Sequence, residues 1–518
     1  MYKPGDFQQL NFVADIENGI HSIRADSTEA GLHMLVAGIR KVISVAKTDR
    51  IMNYWQLEFY NLAMQIDEGK LSPSEKQIGL EFCSKIFKDT TGAYENLIMK
   101  DMKAAPNTLF TRRIKVWVYA TTDSKNASSF INNLLKEQPN LLSANLLKAE
   151  WLFDRQKYRE CIIYCDKSLD IFRSYAYAYN LRAECEANLN QPDKELADED
   201  EAIRLFPTYV DAWYNKGSFF LDSGMYKDAI TCYKVSGRLS PRYYYSFYNL
   251  ARCYKGLKIN DSALYCINIH NRLHTNDADG YNLKGSIYYA EDDYPQAIEW
   301  YTQAIKLRPD DASMYEDRGD AWFYDKKIDT ALLDFEKSAS LDKKRSYPNE
   351  RIGDCYYEKA LYDKSIFYHQ KALQIDPTYK YAWVSINYCY TKMEKFDLAI
   401  NACKKALAID SSYDSALGNL GWDYYCVGRF DDCIAYSYKA LKYDESATYA
   451  MFNIPLAVLR KGDYEKSKEL YQHFLDLCKE KKYEMTGGAI VDLRDLIKKN
   501  IMVEQATYII KSIFNENP

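Results

Sequence analysis

Absences narrow this sequence first. No stretch approaches the ~18 uninterrupted apolar residues that a membrane-spanning helix needs, and a mean hydropathy of −0.47 argues against a membrane bundle. There is no glycine-rich phosphate loop, no Cys-x-x-Cys pair and no His-Glu-x-x-His motif. Six histidines in 518 residues leave an acid–base or nucleophile constellation hard to assemble. Charge of one sign is also scarce. A net −5 over the whole chain gives no general attraction to nucleic acid or anionic lipid. The N-terminal stretch carries Asp6, Asp15 and Glu17 and no apolar core, so no secretion signal is expected, and the C-terminal residues offer no lipidation motif. The thirteen cysteines are scattered through helical positions rather than grouped as loop staples, which fits a reducing, cytoplasmic setting.

What is present is a period. Prolines are few, yet Pro139, Pro207, Pro241, Pro309 and Pro377 share one 34-residue register. With residue 278 as position 1, Tyr281 falls at position 4, Gly285 at 8, Tyr288 at 11, Ala297 at 20, Tyr301 at 24, Ala304 at 27 and Pro309 at 32. The frame from 210 gives Trp213, Gly217, Phe220, Ala229, Tyr233, Ser236 and Pro241. Steps of 34 without insertion or deletion give eleven starts, from 108 to 448. Small residues at positions 8 and 20 are expected where two helices cross, since bulk there would push them apart. Large residues at 4, 11 and 24 fill the space between neighbouring pairs, and the proline ends the second helix. The 47 tyrosines fit a repeat that asks for aromatics at several offsets.

These offsets resemble the tetratricopeptide repeat (TPR) family pattern, W-x2-L-G-x2-Y, then A-x3-F, then P. The resemblance implies an all-α, right-handed superhelical solenoid of stacked helix–turn–helix repeats. The expected organisation is a helical N-terminal segment over 1–107, built of diverged repeats or a separate cap or dimerisation module, then about eleven repeats over 108–481. A helical C-terminal cap is expected over 482–518. Within the first segment, apolar spacing predicts helices over 28–47, 50–68 and 72–88. Several departures stand out. Glu195 and Glu199 occupy positions 20 and 24 of their repeat, predicting a loosely packed or re-registered helix. Asn387 is large for position 8, Pro455 should kink its helix, and the last three repeats have no proline at position 32.

Candidate chemistry is thin. Cys266, His270 and His274 form an i, i+4, i+8 stripe that could hold zinc, but His270 falls at a packed seam position and no fourth ligand is near in sequence. A structural role is the expected one. Cys161 and Cys165 read as core. No catalytic residue, cofactor or metal is expected, because an open array supplies no closed, water-poor pocket for paired carboxylates.

The resemblance also implies that first helices line a concave groove, with positions 2, 5, 9 and 12 facing a ligand. Those offsets select Glu316, Asp320, Phe323, Glu350, Asp354 and Tyr357 as an acidic, aromatic-edged centre. They also select Tyr388, Trp422 and Tyr425 as an aromatic cluster, and Arg252 and Asn282 in a mixed polar lining. No repeat pairs a basic residue at position 5 with asparagine at 9, so capture of a chaperone's C-terminal carboxylate is disfavoured. The expected function is a non-enzymatic adaptor for a protein or peptide with a basic, extended segment. The alternatives are a regulatory sensor whose superhelix changes pitch on binding and, less favoured, an RNA-binding protein. Homo-oligomerisation through the terminal segments is open.

Overall fold

The computed structural model describes residues 127–483 and 488–518, with scattered positions between 30 and 114. Among the described residues there is no strand. The chain divides into two compact units, Met1–His274 and Thr275–Pro518. In the first unit, first helices begin at Leu142, Ala176, Val210 and Tyr244, and second helices at Tyr158, Pro192, Tyr226 and Asn260. In the second unit, first helices begin at Ala278, Ala312, Tyr347, Lys380, Asp414 and Thr448. Their partners begin at Tyr294, Ile328, Tyr362, Phe396, Phe430 and Tyr464. The helices expected over 28–47, 50–68 and 72–88, and the first helix of the frame at 108, fall mostly on positions outside the described residues. No helix among the described residues is long and apolar enough to cross a membrane.

The turn inside each pair is set by one backbone conformation. Gln156, Asn190, Gly224 and Lys258 in the first unit have positive φ, as do Asp292, Lys326, Ala360, Glu394, Gly428 and Gly462 in the second. The following residue then donates its N–H back across the turn, as Leu361 does to the Tyr356 carbonyl at 2.9 Å and Arg429 to the Tyr424 carbonyl at 2.8 Å. This is the Schellman closure, which satisfies a carbonyl the helix end would otherwise leave orphaned. Between pairs the turns differ in chemistry. Asp410 accepts from the backbone N–H and hydroxyl of Ser412 at 3.0 and 2.6 Å, Asp444 does the same for Ser446, and Asp376 does so for Thr378 beside Pro377. The same side-chain turn thus forms with a proline in it or without one.

The seam explains the glycines. A Cβ on Gly285 would sit 2.7 Å from the Tyr301 ring, and one on Gly319 2.7 Å from Phe335. Position 8 therefore meets the large residue at position 24 of its own repeat, rather than only the small one at 20. Tyr233, Tyr301 and Phe335 are buried there, each contributing roughly 1.5–3 kcal/mol of apolar burial.

The departures are accommodated locally. The Pro192–Leu205 helix keeps the register despite its glutamates. Glu199 is buried, and desolvation pushes its carboxyl well above the usual range, which favours its neutral form. Asn387 is tolerated because its amide donates to Asp423 at 2.5 Å, while Thr391 donates to the other oxygen of the same carboxylate at 2.9 Å. Thr448–Arg460 runs through Pro455 as one helix. Its residues Met451, Phe452 and Leu459 share a core with Tyr471 and Phe474 of Tyr464–Lys481, Leu493 and Leu496 of Gly488–Lys498, and Ile509 and Ile510 of Val503–Ser512.

Candidate functional site

The first helices of the second unit carry all but one of the residues selected by offset, and most of these separate into two environments. The acidic residues belong to Ala312–Tyr324 and Tyr347–Glu358. Glu316 is only 5% exposed and accepts a forked pair of hydrogen bonds from Arg345, at 2.7 and 2.5 Å, plus one from the Ser338 hydroxyl at 2.8 Å. Arg351 is buried and donates to Asp320 at 2.8 Å and to Asp354 at 2.6 Å. Its guanidinium also lies over the Phe323 ring, 4.4 Å from the centroid, and the Tyr347 hydroxyl donates to Asp320 at 2.6 Å.

This changes the electrostatics expected of the centre. Glu316, Asp320 and Asp354 are already paired by the chain's own arginines, so they do not form a bare acidic patch. Burial, with Asp354 adjacent, pushes Glu350 up to about 8, and burial pushes Asp354 up to about 6. Burial beside a second carboxylate thus favours the protonated form of Glu350. His369 behind them is fully buried and held neutral, with burial lowering it to about 3. Arg345 and Arg351 occupy positions 34 and 6 of the frame, offsets the groove pattern does not consult. Tyr357 is half-buried against Tyr362, ring centroids 5.6 Å apart.

The aromatic residues behave otherwise. Tyr388 on Lys380–Lys392 is 44% exposed. Trp422 and Tyr425 on Asp414–Cys426 stack on each other at 5.3 Å. Tyr388 and Trp422 line one cavity of about 410 Å³ with Ser415, Gly418, Asn419 and Thr448. The wall is completed by Tyr449, Phe452, Asn453, Gly488, Ala489 and Asp492. Three successive first helices and Gly488–Lys498 thus supply the walls. Gly418 makes room for one ring, since a Cβ there would lie 2.1 Å from Tyr449. The sequence signal for Tyr449 and Gly418 was present at positions 2 and 5; Asp492 lies beyond the 34-residue frame and carries no such signal.

The remaining selected residues stand apart from both groups. Asn282 donates to Asp317 at 2.8 Å. Arg252, in the first unit, is exposed and donates to Asn249 at 3.2 Å. In the same unit, His270 is buried, its Nδ1 3.0 Å from the Tyr244 carbonyl oxygen and its ring 5.2 Å from that of Tyr248. Burial raises the Cys266 thiol to about 11, which opposes the thiolate a metal would require. Cys161 and Cys165 are buried, their sulfurs 3.9 Å apart.

Comparison with known proteins agrees with the helix pairing. A family model described as TPR repeat matches residues 285–324, and one described as Tetratricopeptide repeat matches 210–236, 349–379 and 381–413. A serine/threonine-protein phosphatase T of Trypanosoma brucei brucei is 32% identical over 90 residues, covering 17% of this chain. The chain spans 19% of the length of that curated relative. Among solved structures, YrrB, described as a TPR protein with an unusual peptide-binding site, is 21% identical at a TM-score of 0.31, with 35% of this chain and 92% of that one covered. Cut9–Hcn1, described as an APC/C hetero-tetramer, is 14% identical at a TM-score of 0.40, with 76% and 84% covered.

Proposed function

The chain is a tetratricopeptide repeat protein, and from that premise we propose that it is a non-enzymatic scaffold that binds a partner protein on the first-helix face of its second unit. The observation that carries this reading is the open cavity of about 410 Å³ between successive first helices, with Tyr388, Trp422, Tyr449 and Phe452 on its walls. Tyrosine and tryptophan give large contact area at small entropy cost. Among the candidates, Tyr388, Trp422 and Tyr425 are the contact group. Glu316, Asp320, Glu350, Asp354, Phe323 and Tyr357 shape the neighbouring helices, and any steering they give a basic segment is what remains after Arg345 and Arg351 are counted. The helices Gly488–Lys498 and Val503–Ser512 cover the last repeat's apolar end.

The test is affinity purification from the native cell with mass spectrometry, using the wild-type chain and the double variant Tyr388→Ala/Tyr449→Ala. Both side chains are well exposed, at 44% and 39%, so the melt should hold. Loss of the partners held by the wild-type chain is the expected result. Retention of the full set by the variant removes this face as the binding site.

A further inference from the structure

The cavity contains one group that hydrophobic contact alone does not explain. Asp492 projects from Gly488–Lys498 into a space whose other large walls are aromatic. Among the described residues, no basic side chain offsets its carboxylate. Lys499 is ion-paired with Asp495 at 2.7 Å. Arg460 lies against the Phe430 ring, 5.1 Å from its centroid, and against Tyr425. Arg494 reaches the Asn517 carbonyl at 2.5 Å. The groups that feel the Asp492 charge are Tyr425 and Cys426 of Asp414–Cys426 and the fully buried Tyr471 of Tyr464–Lys481, none of them cationic. Asp495, one turn along the same helix, adds repulsion. A half-buried carboxylate with this surrounding gains from a cation brought in from outside.

Resting on the scaffold reading above, we propose that this cavity is a lysine pocket, in which the ammonium group of a partner's side chain meets the Asp492 carboxylate while its methylene stem packs among Tyr388, Trp422, Tyr449 and Phe452. Aromatic rings attract an ammonium through their quadrupole as well as burying the stem. The cavity also meets the start of a helix at Gly488 and Ala489, whose partial positive charge of roughly half a unit opposes a cation. The full negative charge of ionised Asp492 exceeds it. The occupant is thus a single point charge on an apolar stem. Burial and Asp495 hold the free Asp492 carboxyl at about 7, so affinity for the cation rises as the pH is taken from 6 to 8, while a lysine keeps its proton throughout.

The experiment uses the full chain and blocked tripeptides, acetyl-Gly-Lys-Gly-amide against its norleucine analogue, with affinities from ligand-observed saturation-transfer NMR. The lysine peptide is expected to bind at least tenfold tighter than the norleucine peptide at pH 8. Asp492→Asn should erase that difference, along with the rise in affinity between pH 6 and 8, without lowering the melt. Equal binding of the two peptides overturns the proposal, as does an unchanged preference in Asp492→Asn. Tighter binding of a glutamate peptide shows that the helix start governs the pocket, and equal binding of an arginine peptide shows that the ammonium is not selected; either also overturns it. Failure here with partner capture still lost in Tyr388→Ala/Tyr449→Ala strikes the lysine assignment alone. Capture unaffected by that double variant strikes the scaffold site itself.

Discussion

The acidic cluster and the aromatic cavity of the second unit share one design rule and differ in how they settle charge. In the cluster, Asp320 and Asp354 are held by Arg351 and Glu316 by Arg345, all within the fold. In the cavity, Asp492 has aromatic neighbours and, among the described residues, no counter-ion. Counting carboxylates along a helix face therefore misjudges both. Three carboxylates of the richer patch are already paired internally, and the poorer one is left with unmet charge. Burial and pairing, rather than residue type, decide which carboxylate is available to a partner.

The sharpest way to break this comparison is to remove the arginine. Arg351→Met leaves Asp320 and Asp354 buried without their guanidinium, beside Glu350. Breaking a buried pair in this way costs about 3–5 kcal/mol, so a large drop in the thermal and denaturant midpoints is expected. Tyr388→Ala, at an exposed ring, should cost less than about 1 kcal/mol. If the two variants melt alike, the cluster is a surface rather than part of the structure.

Most of the fold was legible because the 34-residue repeat constrains every element at once: Gly285 and Tyr301, or Gly319 and Phe335, fall at offsets that only one helix crossing satisfies. The polar side of the repeat was less legible. Offsets nominate Glu316, Asp320, Glu350 and Asp354, but which cation reaches them depends on long side chains from positions 6 and 34, whose direction the period does not fix. Glu199 illustrates the same limit, since a glutamate at a packing position signals misfit, whereas burial raises its carboxyl and favours the neutral form that can pack there. The cavity was half visible. Tyr388 and Trp422 follow from the frame, whereas Asp492 comes from a helix after the repeats, and its placement is a matter of packing against Phe452 and Tyr471.

Removing the unmet charge should have the opposite sign from removing the arginine. The folded Asp492 carboxyl, at about 7, lies above its unfolded value of about 4. The folded state therefore binds more protons between those values, and this group's contribution to stability is whole below the unfolded value. It falls as pH rises toward the folded value and is flat above it. Asp492→Asn removes that loss. The variant should be more stable than the wild type at pH 8 by on the order of 1–3 kcal/mol, with the advantage vanishing near pH 4. Melting curves of both chains across pH 4–8 check this. A variant less stable at pH 8 would mean that Asp492 has an internal counter-ion after all.

The smallest effect concerns the turns that hold both regions in register. Ala360 lies in the turn after Tyr347–Glu358, on the cluster side, and adopts φ 57°. Gly428 lies in the turn after Asp414–Cys426, on the cavity side, and adopts φ 78°. The two turns close alike, yet an alanine at that position carries a Cβ close to the next carbonyl, a strain of roughly 1–2 kcal/mol. Glycine removes the strain but returns part of the gain through its freer unfolded chain. Ala360→Gly should therefore stabilise the protein by about 0.5–1 kcal/mol, and Gly428→Ala should destabilise it by a similar amount. Denaturant midpoints for the two single variants and their combination test this. Because the turns lie two repeats apart along the chain, the two effects should cancel in the double variant. A double variant far from the wild type would show instead that the turns are coupled through the helices between them.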